Sequence, residues 1–185
     1  MQSRRPLLVI VSGAPASEKT TIAELLAHDG GLRLFWKDAV KEALADALGL
    51  PRSVEESQAL GIGAYAALFS MAMATLGAGV DVGLESNFRR GLSEPYLAGV
   101  AEAADTKVVH CTASAVTIAQ RYVRRAVDRH PTHLDRRRGD DLGHDLRNGT
   151  YDPLALDVPC LIVRTDDGYQ PSYAEVRAFA LARAA

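Results

Sequence analysis

Five short apolar segments alternate with helical segments along this chain, and this alternation restricts the fold more than any other sequence feature. The apolar segments are residues 7–11, 32–36, 80–84, 107–111 and 160–164. The first is a continuous apolar run rich in β-branched residues, which is typical of a strand buried on both faces. Strands that alternate with helices form right-handed crossovers and a parallel sheet covered on both sides. We predict an α/β fold of three layers around a five-stranded parallel sheet.

Composition limits the classes of protein to which the chain can belong. It has 185 residues, of which 48% are hydrophobic and 24% charged, and a formal net charge of −2. This mixture argues against a disordered or fibrous chain, and the charge gives no general attraction for nucleic acid or anionic membranes. The uninterrupted apolar runs are shorter than the roughly 20 residues that span a bilayer. We expect one cytoplasmic domain over residues 1–185, with no nucleic-acid or membrane partner.

Serine residues mark the starts of three predicted helices. Ser53 and Ser172 each precede a glutamate by three residues, which is the spacing of a capping box. Ser93 stands two residues before a proline, another pattern of helix starts. The two cysteines, Cys111 and Cys160, lie in apolar strand-like segments, so we expect both to be buried free thiols.

The segment after the first predicted strand has the spacing of a phosphate-binding loop. That motif is a glycine, four residues, Gly-Lys, and then Ser or Thr, and Gly13, Lys19 and Thr20 match it. The loop leaves a buried strand and opens a helix, so its amides and the positive end of the helix dipole would face a phosphate. Lys19 would reach the β- and γ-phosphates and Thr20 would bind Mg²⁺. The predicted nucleotide-binding residues of the loop are Gly13, Ala14, Pro15, Ala16, Ser17, Glu18, Lys19, Thr20 and Thr21. The alternative is an ordinary strand-to-helix turn with Thr20 as a cap.

Glu18 replaces the second glycine of this motif. Glycine at that position lets the backbone approach the phosphate and adopt unusual dihedral angles. A glutamate adds a negative charge, and two unit charges about 4 Å apart repel by on the order of 4 kcal/mol at an effective dielectric near 20. A side chain that points into water would cost much less. Our hypothesis is that Glu18 weakens nucleotide binding or makes it depend more on Mg²⁺.

Four segments together resemble the small P-loop kinases, which include chloramphenicol phosphotransferase-like and adenylate or shikimate kinase-like proteins and AAA-type ATP-binding proteins. They are residues 13–21, 36–38, 85–91 and 125–135. The resemblance covers nearly the whole chain. It implies the three-layer P-loop NTPase fold, ATP with Mg²⁺ as the cofactors, and transfer of the γ-phosphoryl group to a hydroxyl. Glu18 departs from the family pattern, and the motifs specify no substrate.

Several residues that follow the other predicted strands are candidates for the acceptor side. The resemblance implies that Asp38 accepts the proton of the attacking hydroxyl; as an N-cap of a helix over residues 39–47 it would need no such function. Glu85 ends the third strand and would hold Mg²⁺ or contact the acceptor. Phe88 and Arg89 would contact the substrate, where an arginine clamps an acidic or phosphorylated group. The alternative is two exposed arginines, Arg89 and Arg90, beside a core phenylalanine.

Eight arginines lie between Arg121 and Arg147, and they predict a lid. Arg121 and Arg125 lie four residues apart on one helix face and precede a polar stretch, residues 129–149. Its closure would bring guanidinium groups over the triphosphate and exclude water. Arg121 and Arg125, followed by Arg129, are the predicted nucleotide-binding and catalytic arginines. The alternative is a solvated basic face balanced by nearby aspartates.

The favoured function is an ATP-dependent phosphotransferase that acts on a hydroxyl of a small molecule, such as an antibiotic, a nucleoside or another metabolite. Lys19, Asp38, Arg121 and Arg125 form its predicted catalytic set. The main alternative is a nucleotide-binding module with weak or no catalysis because of Glu18. A third is a toxin-type kinase of nucleotide sugars. The sequence leaves open the acceptor and the oligomeric state, a homodimer included.

Overall fold

The computed structural model describes residues 4–125, 130–133 and 139–183. The elements follow the chain as β1 (Leu7–Gly13), α1 (Lys19–Gly30), β2 (Arg33–Trp36), α2 (Lys37–Leu48), α3 (Val54–Gly77), β3 (Val82–Glu85), α4 (Glu94–Glu102), β4 (Asp105–Thr112), α5 (Ala115–Arg125), α6 (Gly139–Arg147), β5 (Cys160–Arg164) and α7 (Tyr173–Leu181). The five strands form one parallel sheet in the order β2-β3-β1-β4-β5. The predicted α/β fold with a five-stranded parallel sheet is therefore confirmed.

Two apolar cores cover the two faces of the sheet. On one face, Leu8 and Ile10 of β1 pack with Leu68 of α3 and Leu97 of α4. On the other face, alternate residues of β1 pack with α1 and α7. Every residue of β1 is buried, because β1 is the central strand and has a layer of helices on each side. Burial on both faces explains the continuous apolar run at residues 7–11.

Two of the three serine helix starts behave as predicted. Ser53 and Ser172 are N-caps whose Oγ atoms accept from the amides of Glu56 and Glu175. At Ser172 the reciprocal bond is also present, which completes a capping box. Ser93 is an N-cap without a side-chain bond to its helix; its Oγ accepts from the Arg89 amide at 2.9 Å instead.

The expectation of two buried thiols is wrong for Cys160. Cys111 on β4 is buried, and burial raises the pKa of its thiol to about 12. Cys160 opens β5, which is an edge strand, and is exposed. Leu161 and Val163 of β5 pack into the core with α1 and α7, whereas Ile162 on the opposite face is 50% exposed. An edge strand with one incompletely covered face leaves its outer residues in solvent.

The helix α3 is long and apolar enough, by length and composition, to cross a membrane. The uninterrupted apolar runs in the sequence did not predict a helix of this kind, because small and weakly polar residues interrupt the apolar ones in α3. Core helices of globular folds pass the same test; only 22% of the apolar window of α3 is buried, and its buried face packs Leu68, Ala72 and Leu76 into the core beside β1 and β3. We interpret α3 as a core helix with one face against the sheet.

Asp81 holds the start of β1, and this contact makes stability depend on pH. Its carboxylate accepts from the Leu7 amide at 2.8 Å and from Arg4 and Arg183. Burial alone would raise the pKa of Asp81, but these bonds and charges bring the pKa below its usual value. A depressed carboxyl pKa adds stability above the unfolded-state pKa, which is lost as the pH falls through the folded-state pKa.

Asp81→Asn is therefore expected to lower the free energy of unfolding by about 1–2 kcal/mol at pH 7. The difference from the wild type should shrink as the pH falls below about 4. Urea unfolding at pH 7, 5 and 3.5 measures both effects. Asp157→Asn, at an exposed position, is the control and should be nearly neutral. A loss that stays constant down to pH 3.5 would contradict the ionic origin of the effect.

Candidate functional site

The loop between β1 and α1 wraps closely around its own lysine. Gly13 has φ 143°, and a Cβ atom there would lie 2.1 Å from the carbonyl oxygen of Cys111, so only glycine fits. Beyond Gly13, the Ser17 amide donates to the Ala14 carbonyl at 3.3 Å, and Lys19 Nζ donates to the same carbonyl at 3.3 Å. The helix α1 begins at Lys19, with Glu18 as its N-cap and no side-chain capping bond. The turn with Thr20 as a cap is therefore wrong.

Glu18 adopts the left-handed backbone conformation that glycine favours. Its φ is 63°, and Ala16, two residues earlier, also has φ 63°. The side chain lies at the edge of the loop, where Oε2 accepts from Thr21 Oγ1 at 3.3 Å and Oε1 is 3.9 Å from Arg121 Nε. The loop thus keeps its shape with glutamate in place of glycine, at the conformational cost of two left-handed residues with side chains.

Glu85 joins the lysine and the threonine of the loop. Its carboxylate lies at the end of β3, next to β1 in the sheet. Thr20 Oγ1 donates to Oε2 at 3.4 Å, and Lys19 Nζ lies 3.7 Å from Oε1. The side chains of Lys19 and Glu85 are each 6% exposed. Hydroxyl and carboxylate oxygens are ligands that Mg²⁺ prefers, so the predicted metal-binding pair, Thr20 and Glu85, suits a magnesium ion.

A second polar group lies beside Glu85, around the start of α2. Lys37 Nζ donates to Asp38 Oδ1 at 3.0 Å and lies 5.8 Å from the centre of the Tyr65 ring. The Tyr65 hydroxyl is 2.8 Å from Ser86 Oγ. Burial raises the pKa of Tyr65 to about 12, and the negative charges of Asp38 and Glu85 add to the increase. The phenol therefore keeps its proton and can donate it in a hydrogen bond.

Asp38 is not the N-cap that the sequence allowed. The helix α2 starts at Lys37, and its N-cap is Trp36, without a side-chain bond. Asp38 is thus inside the first turn, where a carboxylate favours the helix dipole. The helix also begins two residues before the predicted start at residue 39, because β2 runs into α2 with a single residue as the cap. The capping interpretation of Asp38 is wrong, so the carboxylate can act on other groups.

Arg121 connects α5 to the phosphate loop through Thr165. Its guanidinium donates to Thr165 Oγ1 at 3.1 Å and to the Thr165 carbonyl at 2.6 Å. The Thr165 hydroxyl in turn donates to the carbonyls of Ser17 and Thr112, each at 3.3 Å. Of the predicted arginines, only the position of Arg121 is described in full: α5 includes the backbone of Arg125, whose side chain lies outside the described part, and Arg129 also lies outside it.

The polar stretch predicted as a lid contains a helix and a docked turn. Residues 139–147 form α6, which packs with α5 over the phosphate loop, where Ala14, Ile118 and Leu142 share a small apolar core. The turn at residues 130–133 contacts α2: His130 is 3.1 Å from Asp46 and His133 is 2.9 Å from Glu42. The described part of this stretch is therefore a turn and a helix, while lid movement stays a prediction.

The two candidate substrate residues after β3, Phe88 and Arg89, contact other protein residues. Phe88 is fully buried in the core, in contact with the Tyr65 and Phe69 rings. A direct contact with the substrate is therefore wrong for Phe88, which instead supports Tyr65 from behind. Arg89 is paired with Asp145 of α6 at 3.1 Å, so it joins the end of β3 to the helix above it.

Three residues at the site were missed in the sequence. Tyr65, Ser86 and Thr165 are not among the candidate residues that the sequence motifs indicate. A tyrosine among alanines in the middle of α3 is only weak evidence in the sequence for a functional residue. Nothing local distinguishes Ser86 or Thr165, whose roles come from strands that lie apart in the chain.

Similar proteins of known structure agree with this fold. A protein from Chloroflexus aurantiacus J-10-fl, described as a "putative kinase", has a TM-score of 0.84 and 32% identity, over 95% of this chain and 97% of that chain. The chain belongs to the same family as this protein and has the P-loop kinase fold. No protein-family profile matches the chain, and no curated protein does.

More distant structures share the fold alone. A sugar kinase from Janibacter sp. HTCC2649 has a TM-score of 0.63 and 20% identity, over 95% of this chain and 94% of that chain. Kti12 of Chaetomium thermophilum, solved in complex with ADP-AlF3, has a TM-score of 0.63 and 20% identity, over 96% of this chain and all of that chain.

The left-handed residues of the loop lead to a stability prediction. Glu18→Gly should raise the free energy of unfolding by about 1 kcal/mol, because glycine adopts positive φ without steric cost. Ala16→Gly, at the same φ but without a change of charge, should give a similar gain. Chemical denaturation of both variants measures the effect. A loss of stability in Glu18→Gly alone would show that the contacts of Glu18 with Thr21 and Arg121 outweigh the backbone strain.

Proposed function

We propose that this protein transfers the γ-phosphoryl group of ATP to a hydroxyl of a small molecule. The proposal is carried by the position of Glu85, whose carboxylate meets both Lys19 and Thr20 of the loop and is near enough to Tyr65 to raise its pKa, as is Asp38. A loop with an anion-binding helix start and two carboxylates beside it has the parts that phosphoryl transfer needs: a phosphate site, a metal site and an acceptor for a proton.

One side of the proposed site binds ATP, and the other binds the acceptor. The amides at the start of α1 and the Lys19 ammonium bind the phosphate oxygens. Thr20 and Glu85 would hold Mg²⁺, which would neutralise charge on the phosphates. Arg121 lies at the loop from the α5 side, where its guanidinium adds positive charge.

Asp38 serves the acceptor. The acceptor oxygen forms a bond to the γ-phosphorus, the bond from that phosphorus to the β–γ bridging oxygen breaks, and ADP leaves. The proton of the acceptor hydroxyl goes to the Asp38 carboxylate. Lys37 holds Asp38 by a bond of 3.0 Å, so the carboxylate stays in one position during the transfer.

Two substitutions separate these roles. Lys19→Met is expected to weaken ATP binding at least tenfold, because the ammonium contacts the phosphates directly. Asp38→Asn should leave ATP affinity within about twofold but lower the rate of transfer by about 10²–10⁴-fold, the range for a general base. Calorimetric titration with an ATP analogue and Mg²⁺ and a single-turnover assay with labelled ATP measure the two quantities.

Lys107→Met is the matched control for Lys19→Met. Lys107 is also buried, but its ammonium binds carbonyls of Phe179 and Ala182 at the end of α7. It should change stability and leave ATP affinity unaffected. Equal ATP affinity in wild type and Lys19→Met would show that the loop is not a nucleotide site.

A second candidate function is a nucleotide-binding module without efficient catalysis. The observation in its favour is Glu18, whose carboxylate lies 3.9 Å from Arg121 and competes with phosphate for that guanidinium. Glu18→Gly is expected to bind ATP more tightly than wild type, by about tenfold if about 1.4 kcal/mol of repulsion is removed. Ala16→Gly should bind ATP as the wild type does. Binding without transfer in wild type, with transfer restored in Glu18→Gly, would favour the module.

A further inference from the structure

Three polar side chains stand side by side at the carboxyl ends of neighbouring strands. Ser12 of β1 is in register with His110 of β4. On the other side of β1, the Ser86 amide donates to the carbonyl of Val11, the residue before Ser12. Side chains alternate along each strand, and Leu8, Ile10, Leu84 and Val108 lie in the core with α3 and α4. Ser12, Ser86 and His110 therefore share that face, and we call them the polar row.

The polar row continues the acceptor side of the proposed active site. Ser86 Oγ is 2.8 Å from the Tyr65 hydroxyl, whose pKa responds to the charges of Asp38 and Glu85. Ser12 directly precedes Gly13, where the phosphate loop begins. Neighbouring strands are about 4.8 Å apart, so His110 lies two strand spacings from Ser86, on the far side of the loop's first residue.

Two atoms of the polar row are buried without a hydrogen bond. Ser12 is 0% exposed and His110 is 3% exposed, and neither Ser12 Oγ nor His110 Nδ1 has a partner in the described part of the chain. Burial lowers the pKa of His110 to about 4, against a smaller increase from the charge of Asp152, so the ring is neutral near pH 7. Buried polar groups are nearly always hydrogen-bonded, so two adjacent unpaired atoms beside the proposed active site are candidate binding groups.

The charges around the row indicate what kind of ligand this is. The cations described around Tyr65, the end of β3 and the loop already have partners: Lys37 binds Asp38, Arg89 binds Asp145, the Arg90 guanidinium donates to the Pro153 carbonyl, and Lys19 lies 3.7 Å from Glu85. A neutral imidazole and a hydroxyl bind hydroxyl groups well, whereas a carboxylate would lose its hydration without gaining a cation.

We infer that Ser12 and His110 bind the phosphoryl acceptor, and that the acceptor is a neutral, hydroxyl-rich compound such as a sugar or another polyol. The inference rests on the proposed function for the transfer step alone. His110 Nδ1 and Ser12 Oγ hydrogen-bond to hydroxyls of the acceptor that do not react, while Asp38 takes the proton of the one that does. Residues 148–153 lie beside this row, since the charge of Asp152 acts on His110 and the Thr150 carbonyl accepts from the Arg90 amide at 2.9 Å.

The experiment compares acceptors in matched neutral and carboxylated pairs. D-glucose and D-glucuronate form one pair and glycerol and D-glycerate another, with myo-inositol as an additional neutral probe. Transfer from labelled ATP and the melting temperature Tm at increasing probe concentration are measured for each. At least one neutral probe should be phosphorylated with a kcat/KM about tenfold or more above that of a carboxylated probe. Phosphorylation of carboxylated probes alone overturns the inference, as does the absence of both phosphorylation and a rise in Tm with every neutral probe.

Substitutions at His110 test the residue itself. His110→Leu should raise KM for the neutral probe about tenfold and leave KM for ATP within twofold, because it removes hydrogen bonds to the acceptor only. The same variant should raise Tm by about 2–4 °C without ligand, since it removes a buried polar atom that lacks a partner. His110→Asn, which keeps a hydrogen-bonding group, should restore most of the affinity for the probe. An unchanged KM in His110→Leu overturns the inference.

Thr106→Val is the matched control on the same strand. The Thr106 hydroxyl is buried but donates to the Ala101 carbonyl at 2.8 Å, so the variant should lose stability and keep both KM values. Titration of Tm with the polyol in the absence of ATP separates the two proposals. If ATP does not bind, the proposed function fails, while a polyol-dependent rise in Tm that His110→Leu abolishes still supports the acceptor site. No rise in Tm with any neutral probe overturns it.

Discussion

The close approach of Gly13 to the carbonyl of Cys111 is the constraint on which the site depends. The two strands β1 and β4 stay paired up to this residue, and any side chain at position 13 would push them apart. The chain can therefore turn directly from the centre of the sheet into α1. That turn places the start of α1, Lys19 and Thr20 at the carboxyl end of β1, where ligands of parallel sheets bind.

Charge pairing organises the space above this turn. The Lys19–Glu85 pair is almost completely buried, and removing two charges from water costs several kcal/mol per ion in a protein interior. A well-packed apolar pair would serve stability at least as well. The ion pair nevertheless lies at the start of α1, where an apolar pair would serve stability as well. Its presence there is consistent with the proposed use of both groups in binding, Lys19 for phosphate and Glu85 for metal.

The elements that follow from local sequence agree with the structure, while the roles of the site residues stay predictions. A buried strand, a glycine, and Lys-Thr at the start of a helix depend on residues that are near one another in the chain, so their pattern is visible without a structure. Glu85 was also found, because it directly follows an apolar strand. The errors arose where a neighbour in space decides: Phe88 is buried by α3, Cys160 is exposed because β5 is at the edge, and Asp38 is not a cap because α2 starts one residue earlier than Asp38.

The sequence by itself determined the class of fold and the location of the phosphate loop, because periodicity and turn chemistry are local properties of the chain. Only the tertiary structure decided which side chains meet Glu85, that Arg121 reaches the loop through Thr165, and that Ser12, Ser86 and His110 form one row. Those relationships depend on the order of strands in the sheet, which places residues about a hundred positions apart side by side, as β1 and β4 show.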